Sequence, residues 1–365
     1  MLTGYLSGKK LSKEIGFIEK EIKKYKKNPI EDKYENIDRL HSAWKVLRKI
    51  DDSKKETIKS AEKNTDIYLM WEHMDVYIAT SMRNSWEFEE VSDTINKLKE
   101  FPKIKKLKVR FFDPTQSFHI NRIEKGLIEG LMLKRAKCLV YMVQESDTMG
   151  KDSELAATLA QGKPVIAYIP KLNIEEYAIK IEKFPLEYFK KRLLILQADE
   201  IFIDEDCIKK LNSFNENYEY MVENFLEELK IYENDNLITL WKDDEIKFKR
   251  TSKYFLDICK ILAISEDFNF DKRAVLLRRD HPLAIQVDLK TGVANGVLVV
   301  RDIKNCAQLI YNFLVNDLSF EFNYNKGGNN QETVELIEKN SQSIYRVIVQ
   351  YKKLVNAFWN FYLKC

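Results

Sequence analysis

Glu154 lies in the stretch ESDTMGKDSELAATLAQGKPVIAYIP (Glu145–Pro170), just after a polar loop and at the head of a helix rich in small residues. The run before it, Cys138 to Val143, is short, apolar and rich in β-formers; so is the run after it, Val165 to Ile169. Two apolar strands around a helix of about ten residues predict a βαβ unit of a parallel sheet. In such sheets the loops leaving the carboxyl ends of the strands carry the chemistry. A carboxylate there can face a ligand, or it can be an ordinary first-turn glutamate favoured by the helix dipole alone. Other polar residues occupy equivalent loops. Ser81 and Arg83 follow the first strand, Asp113 follows the second, and Ser146 and Asp147 share the loop of Glu154. They offer hydroxyls, a guanidinium and carboxylates to a bound molecule. Each also has a plain structural role: Arg83 can pair with Glu87, Asp113 can start an Asx-Pro turn, and Ser146 and Asp147 can cap a helix.

These residues need a scaffold, and the pattern along the chain predicts one. Val76–Ala79 reads as the first strand, with Thr80–Arg83 as the loop leaving it. Asn84 followed by Glu87 predicts a helix start for a segment carrying Val91, Ile95 and Leu98. Leu107–Phe112 reads as the second strand. A helix from about Asn121 to Arg135 is expected to bury Ile123, Leu127, Ile128 and Leu131. Cys138–Val143 and Val165–Ile169 are the third and fourth strands. Ile174–Lys191 reads as helix interrupted at Pro185, and Leu193–Leu196 as a fifth strand. Around Glu154, Asp152 or Ser153 is the expected N-cap and Gly162 the expected C′ residue, with Pro164 beyond it. Leu155, Thr158 and Leu159 give that helix a face for the sheet.

The flanks differ in character. Ile15, Ile18, Ile22 and Tyr25, and then Ile37, Leu40, Trp44 and Leu47, form helical stripes separated by Asn28-Pro29. Beyond about residue 205, Cys207–Tyr232 and Thr251–Ile264 read as helices. Leu283–Leu289 and Gly296–Arg301 read as two strands joined by a turn at Lys290–Asn295, with Gly292 available for positive φ. Ile303–Val315 and Glu332–Leu363 read as helix, and Gly327–Asn330 as a loop. The expected fold is α/β: a doubly wound parallel sheet of about five strands. The expected domains are an N-terminal helical segment (1–70), the α/β domain (71–205) and a helix-rich α+β domain with a β-hairpin (206–365).

Composition narrows the partners. The chain has 365 residues with a formal charge of +3, acidic and basic residues being interleaved. This balance gives no ground for a specific nucleic-acid partner. No apolar run approaches the roughly 18 residues that span a bilayer, and the N-terminus, broken by Gly4, Gly8 and lysines, does not read as a secretory leader. The five cysteines are scattered without metal spacing, so a reduced, cytoplasmic protein without a metal site is expected.

The Asp75–Pro170 segment resembles two related groups of flavodoxin-like domains: the TIR domains, several of which cleave NAD, and the nucleoside 2-deoxyribosyltransferases. The resemblance is carried by Asp75-Val-Tyr-Ile-Ala-Thr-Ser, Ile123-Glu-Lys-Gly-Leu-Ile-Glu-Gly-Leu, Ala136-Lys-Cys-Leu-Val-Tyr-Met-Val and Ser153-Glu-Leu-Ala-Ala-Thr-Leu-Ala-Gln-Gly-Lys-Pro-Val. In both groups a glutamate at the start of the last helix is catalytic, and Glu154 is the matching position. The sequence has Met149–Ser153 where the transferases carry Gly-Thr, and no tryptophan in the loop where many TIR domains have one. The resemblance implies cleavage of a ribosyl–nitrogen bond, in which Glu154 stabilises an oxocarbenium-like charge or traps it covalently. Arg83 would then meet a phosphate, and Ser81, Ser146 and Asp147 ribose hydroxyls, with Asp113 a further substrate contact. NAD is the implied substrate, with no separate cofactor, because nicotinamide leaves from a cationic ring and needs no general acid. A nucleobase generally needs a proton, and base exchange or hydrolysis of nucleosides is the alternative. A third alternative is a non-catalytic module that binds a nucleotide or a protein. Bacterial TIR-like chains with an added domain resemble antiviral effectors, which implies a homo-oligomer and an activating signal or partner protein.

Overall fold

A 37-residue helix, α1 (Tyr34–Met70), precedes the first strand. The computed structural model describes residues 15–20, 22–23, 34–82, 85–117, 121–144, 149–198, 205–235, 242–279, 286–288, 293–327 and 331–350. The chain divides into two units, Met1–Ile166 with Ala307–Leu318, and Ala167–Cys306 with Ser319–Cys365. Near its start α1 places Leu47 and Trp44 against Ile15, Ile18 and Ile22, so residues of the two apolar stripes pack on each other. Trp44 Nε1 and an Arg48 guanidinium nitrogen both donate to Glu19 Oε1, at 3.1 and 2.7 Å. At its far end Tyr68 packs edge-on against Phe112, with ring centroids 5.3 Å apart.

The first unit is built as successive βαβ crossovers. β1 (Met74–Ala79) leads through α2 (Ser85–Glu100) and α3 (Pro102–Leu107) to β2 (Phe111–Phe112). α4 (Arg122–Arg135) leads to β3 (Ala136–Met142), and α5 (Met149–Ala160) to β4 (Val165–Tyr168). β1 pairs in parallel with both β2 and β3, with Val76 opposite Phe111 on one side and Cys138 on the other. The strands are apolar nearly throughout, as a sheet covered on both faces requires. The full order is β2-β1-β3-β4-β7, all parallel, where β7 is Val297–Val300. The chain order reverses between β1 and β3, which makes that gap the topological switch point of the sheet.

Three expectations for this unit are corrected. Leu107–Phe112 is not one strand: Pro102 starts a short helix that ends at Leu107, and Lys108 closes it in the left-handed region (φ 51°). Only Phe111 and Phe112 remain to pair. Ile123 and Leu127 are not buried by α4 but are 72% and 69% exposed, while Met132 and Leu133 turn inward. Asp152 and Ser153 do not cap α5, because the helix already begins at Met149. Its C-terminus is as expected. Gly162 adopts φ 71°, its N–H donates to Leu159 O and that of Lys163 to Thr158 O, the paired bonds of a Schellman motif. The Lys163 ammonium then caps the last carbonyls of α4, Leu133 O at 2.9 Å and Lys134 O at 2.7 Å.

In the second unit α6 (Ile174–Ile181) and α7 (Leu186–Ala198) break around Pro185 as expected. The expected strand Leu193–Leu196 is instead part of α7: Leu193 is buried while Leu194 and Ile195 are exposed, a helical rather than alternating exposure. α8 (Glu205–Phe214), α9 (Tyr218–Asp235), α10 (Lys242–Thr251) and α11 (Phe255–Arg279) follow. Within this unit Ile169 N–H donates to Val300 O at 2.9 Å, so β7 is the fifth parallel strand. The predicted hairpin therefore changes partners. β5 (Gln286–Asp288) pairs antiparallel with β6 (Val293–Asn295), which lies in the segment read as the turn. α12 (Ile303–Leu314) is the helix expected there. Glu332–Leu363 is not helix through its described part, which forms β9 (Gln331–Glu338) and β10 (Ser343–Gln350) beside β8 (Phe320–Gly327). The order of this antiparallel sheet is β5-β6-β10-β9-β8. Val, Ile, Thr and Tyr are dense in these strands, and cross-strand pairing decides their state over a weak helical period.

Gly296, between β6 and β7, has a specific reason to be glycine. A Cβ there would lie 2.0 Å from Ile344 O, against backbone that cannot rotate away. Gly296→Ala is expected to lower unfolding stability by roughly 2 kcal/mol or more, through overpacking. Urea denaturation checks this, and an unchanged midpoint would show that β10 yields freely.

Candidate active site

The side chains of Tyr77, level with Leu139 in the middle of β3, and of Glu154 on α5 meet. Tyr77, on β1, is 1% exposed, with its ring stacked on Phe112 at 5.0 Å and 18° between planes. Its hydroxyl donates to Glu154 Oε1 at 2.8 Å. A tyrosine buried in an apolar strand must find an acceptor for its O–H, and here the acceptor is a carboxylate on α5. That apolar setting was the one signal in the sequence that could have singled out Tyr77.

The position of α5 is fixed by two contacts one turn before Glu154. Lys151, although a lysine, is 1% exposed; its ammonium donates to Met142 O at 3.0 Å and lies 4.9 Å from the centre of the Tyr141 ring. The Tyr141 hydroxyl donates to Asp152 Oδ1 at 2.6 Å. Both bonds tie the first turn of the helix to the end of β3. Nothing in the sequence marked Lys151, whose neighbours are those of an ordinary polar loop.

Glu154 therefore sits in the second turn of α5, half-buried, and not at the helix terminus as expected. The dipole effect fades within the first turn, and burial dominates instead. Desolvation raises its pKa from the ordinary 4.5 to about 8. The Tyr77 hydrogen bond and the charges of Lys125 and Lys151 oppose that rise, while the charge of Glu129 adds to it. Glu129, on α4, is itself raised above the ordinary carboxylate range by burial, against the pull of Lys125 at 3.6 Å. Burial, then the charges of Glu154 and Glu129, push Tyr77 well above its usual value, so it stays protonated as a donor.

The switch point between β1 and β3 is closed by a side chain. Gln144, 1% exposed, accepts from Ser81 N–H at 2.6 Å and donates to Ser81 O at 2.8 Å. The pair extends the β1–β3 ladder by one rung and fixes Ser81 just beyond β1. The neighbouring Thr80 hydroxyl is buried without a hydrogen-bond partner among the described residues. Asp113 takes the turn role that the sequence allowed for it. Its Oδ1 accepts from Thr115 N–H and Oγ1–H, and its Oδ2 takes the Lys99 ammonium at 2.8 Å. Arg83, Ser146 and Asp147 lie outside the described residues, as does the expected helix cap Asn84.

The arrangement gives a carboxyl whose pKa burial has raised to about 8, one hydroxyl aimed at it and a second carboxyl on the adjacent helix. Ionised, Glu154 can stabilise a cation; protonated, it can give up a proton. Among the described residues no group of His, Cys, Asp and Glu could hold a metal, and no helix is long and apolar enough to cross a membrane. No family model, curated protein or solved structure matches the chain.

The raised pKa has a consequence for stability. A carboxyl whose folded-state value exceeds its unfolded one contributes stability that is complete below pH 4.5 and lost as the pH climbs through about 8. Glu154→Gln keeps the neutral form at every pH. The variant is therefore expected to match the wild type near pH 4.5 and to exceed it above pH 8 by an amount on the order of a few kcal/mol. Urea midpoints across that range measure the difference, and a flat difference would mean that Glu154 is well solvated.

Proposed function

We propose that the protein cleaves an N-glycosidic bond, and that its substrate is NAD. The observation that carries this reading is the half-buried Glu154 carboxyl, held by the Tyr77 hydroxyl of a parallel sheet on the helix that follows β3. Rupture of the bond between ribose C1′ and the nicotinamide nitrogen leaves positive charge on the sugar, while the electron pair neutralises the departing ring. An ionised carboxylate with little water around it stabilises that charge far better than one in bulk solvent. Water then adds to C1′ and loses its proton, giving nicotinamide and ADP-ribose. A cationic nicotinamide riboside also lowers the pKa of a nearby carboxyl, so substrate binding itself favours the ionised form. Ser81 and the unpaired Thr80 hydroxyl, both following β1, are the described groups best suited to a ribose hydroxyl.

One observation favours a second reading, hydrolysis or base exchange of nucleosides. A nucleobase leaves readily only when protonated, and Glu129 is held above the ordinary carboxylate range on the helix beside Glu154. It is a proton source that the sequence did not reveal.

Incubation with NAD and with a panel of nucleosides, followed by chromatography of the released base, separates the two. NAD as substrate with loss of at least about a hundredfold in Glu154→Gln is the expected result, this being the scale of one lost electrostatic stabiliser. Base release from nucleosides alone, abolished in Glu129→Gln, would establish the second reading. Full activity in Glu154→Gln would overturn both. Ligand binding without turnover would instead make the site a sensor, with any trigger acting through the remainder of the chain.

The pH profile gives an independent check. For NAD cleavage, kcat/KM is expected to rise with pH and level off above about 8, where free Glu154 is ionised. Tyr77→Phe keeps the stacked ring but removes the bond that favours the ionised form, so its rising limb moves to higher pH. A limb unmoved by this substitution would show that Tyr77 does not set the state of Glu154.

A further inference from the structure

The outward face of α4 is built against the usual rule for a surface helix. Ile123, Leu127, Gly130 and Lys134 recur at spacings of four, three and four, which places them on one stripe of the helix. Ile123 and Leu127 are 72% and 69% exposed, and Gly130 and Lys134 are exposed as well. The opposite side carries Met132, Leu133 and Glu129 toward the first unit. Gly126 and Gly130, four apart, each weaken a helix interior relative to alanine. Neither is required by packing within the chain, because a Cβ built on either meets nothing within 4 Å. An apolar stripe with an open notch is what a second helix needs to approach closely, with a large side chain of one helix seated over the glycine of the other.

We propose that α4 is a self-association surface, and that a second copy of this chain covers it with its own α4, antiparallel across a two-fold axis between Leu127 and Gly130. The charges select this occupant. The first turn of α4 carries Glu124 and its last turn Lys134 and Arg135. An antiparallel pair about that axis sets Glu124 of one copy opposite Lys134 of the other, twice. The same pairing sets Leu127 over Gly130 and opposes the helix dipoles favourably. A parallel pair would bring Glu124 to Glu124 and Lys134 to Lys134. The contact is isologous, so it closes as a dimer and does not propagate. A single helix pair falls at the small end of specific interfaces, below about 1,200 Å², and the dimer is therefore expected to be concentration-dependent. The inference does not rest on the proposed reaction, since the face is independent of what Glu154 does.

Sedimentation velocity of the full chain from about 1 to 100 μM tests it. A shift from monomer to dimer over that range is expected. Leu127→Asp should abolish the dimer. Glu124→Lys and Lys134→Glu should each weaken it at least tenfold, while the two together restore it. Gly130→Leu separates association from folding, because it should raise the melting temperature of the monomer while blocking the dimer. A monomer at all concentrations overturns the proposal. So does a dimer indifferent to Leu127→Asp, or a charge exchange that fails to restore association.

Discussion

A phenol hydroxyl inside a parallel sheet must be hydrogen-bonded, and a carboxylate beside it must give up most of its water. In this protein the two requirements are met by one bond, from Tyr77 to Glu154. The bond fixes where α5 can lie relative to β1, and the surrounding structure is arranged to keep it there. Phe112 supports the Tyr77 ring from β2, Tyr68 backs Phe112 from α1, and Lys151 and Tyr141 pin the first turn of α5 to β3. The net effect is a carboxyl that is neither buried beyond ionisation nor exposed enough to behave as a surface glutamate. Desolvation outweighs the hydrogen bond and the nearby lysines, and so the group's pKa rises to about 8.

The second unit is tied together by ion pairs of mixed exposure. Lys171 bridges Asp267 and Asp271 on α11, and Arg301 joins Asp271 while donating to Ile169 O, so the end of β4 is bound to that helix through paired charges. Arg192 and Glu266 make a further buried pair. Removing Arg192 would leave the buried Glu266 carboxylate uncompensated, whereas Lys171, 52% exposed, and Asp271, 37% exposed, keep much of their water. Ser343 acts without any charge, its hydroxyl accepting from Val299 N–H and so linking β10 to β7.

Much of the first unit could be read from residue types alone. β1, β3 and β4 are short apolar runs, Leu155, Thr158 and Leu159 pack as their spacing requires, and Gly162 ends its helix in the one conformation that glycine adopts most readily. These features are local, set by periodicity and by the backbone of single residues. The failures have equally physical causes. Leu107 belongs to a helix because Pro102 can begin one, and Leu193–Leu196 is helical because its neighbours pack with period 3.6. β9 and β10 are strands because partners distant in sequence complete their ladders. Val297–Val300 was recognisable as a strand, but nothing near it in sequence says that its partner is β4 and not the preceding strand.

The sequence by itself determined which carboxylate follows the third strand, and that its loop faces the carboxyl end of a parallel sheet. Whether that carboxylate is ionised was decided only by tertiary structure. Glu129 and Tyr77 stand 25 and 77 residues from Glu154, and the desolvation they share with it depends on three elements closing over one point. Asp113 shows the converse: an acidic residue after a strand looks the same in sequence whether its oxygens are free or, as here, taken by Thr115 and Lys99. Residue type fixes what a group can do, but its solvation and partners, which fix what it does, come from contacts that no local pattern encodes.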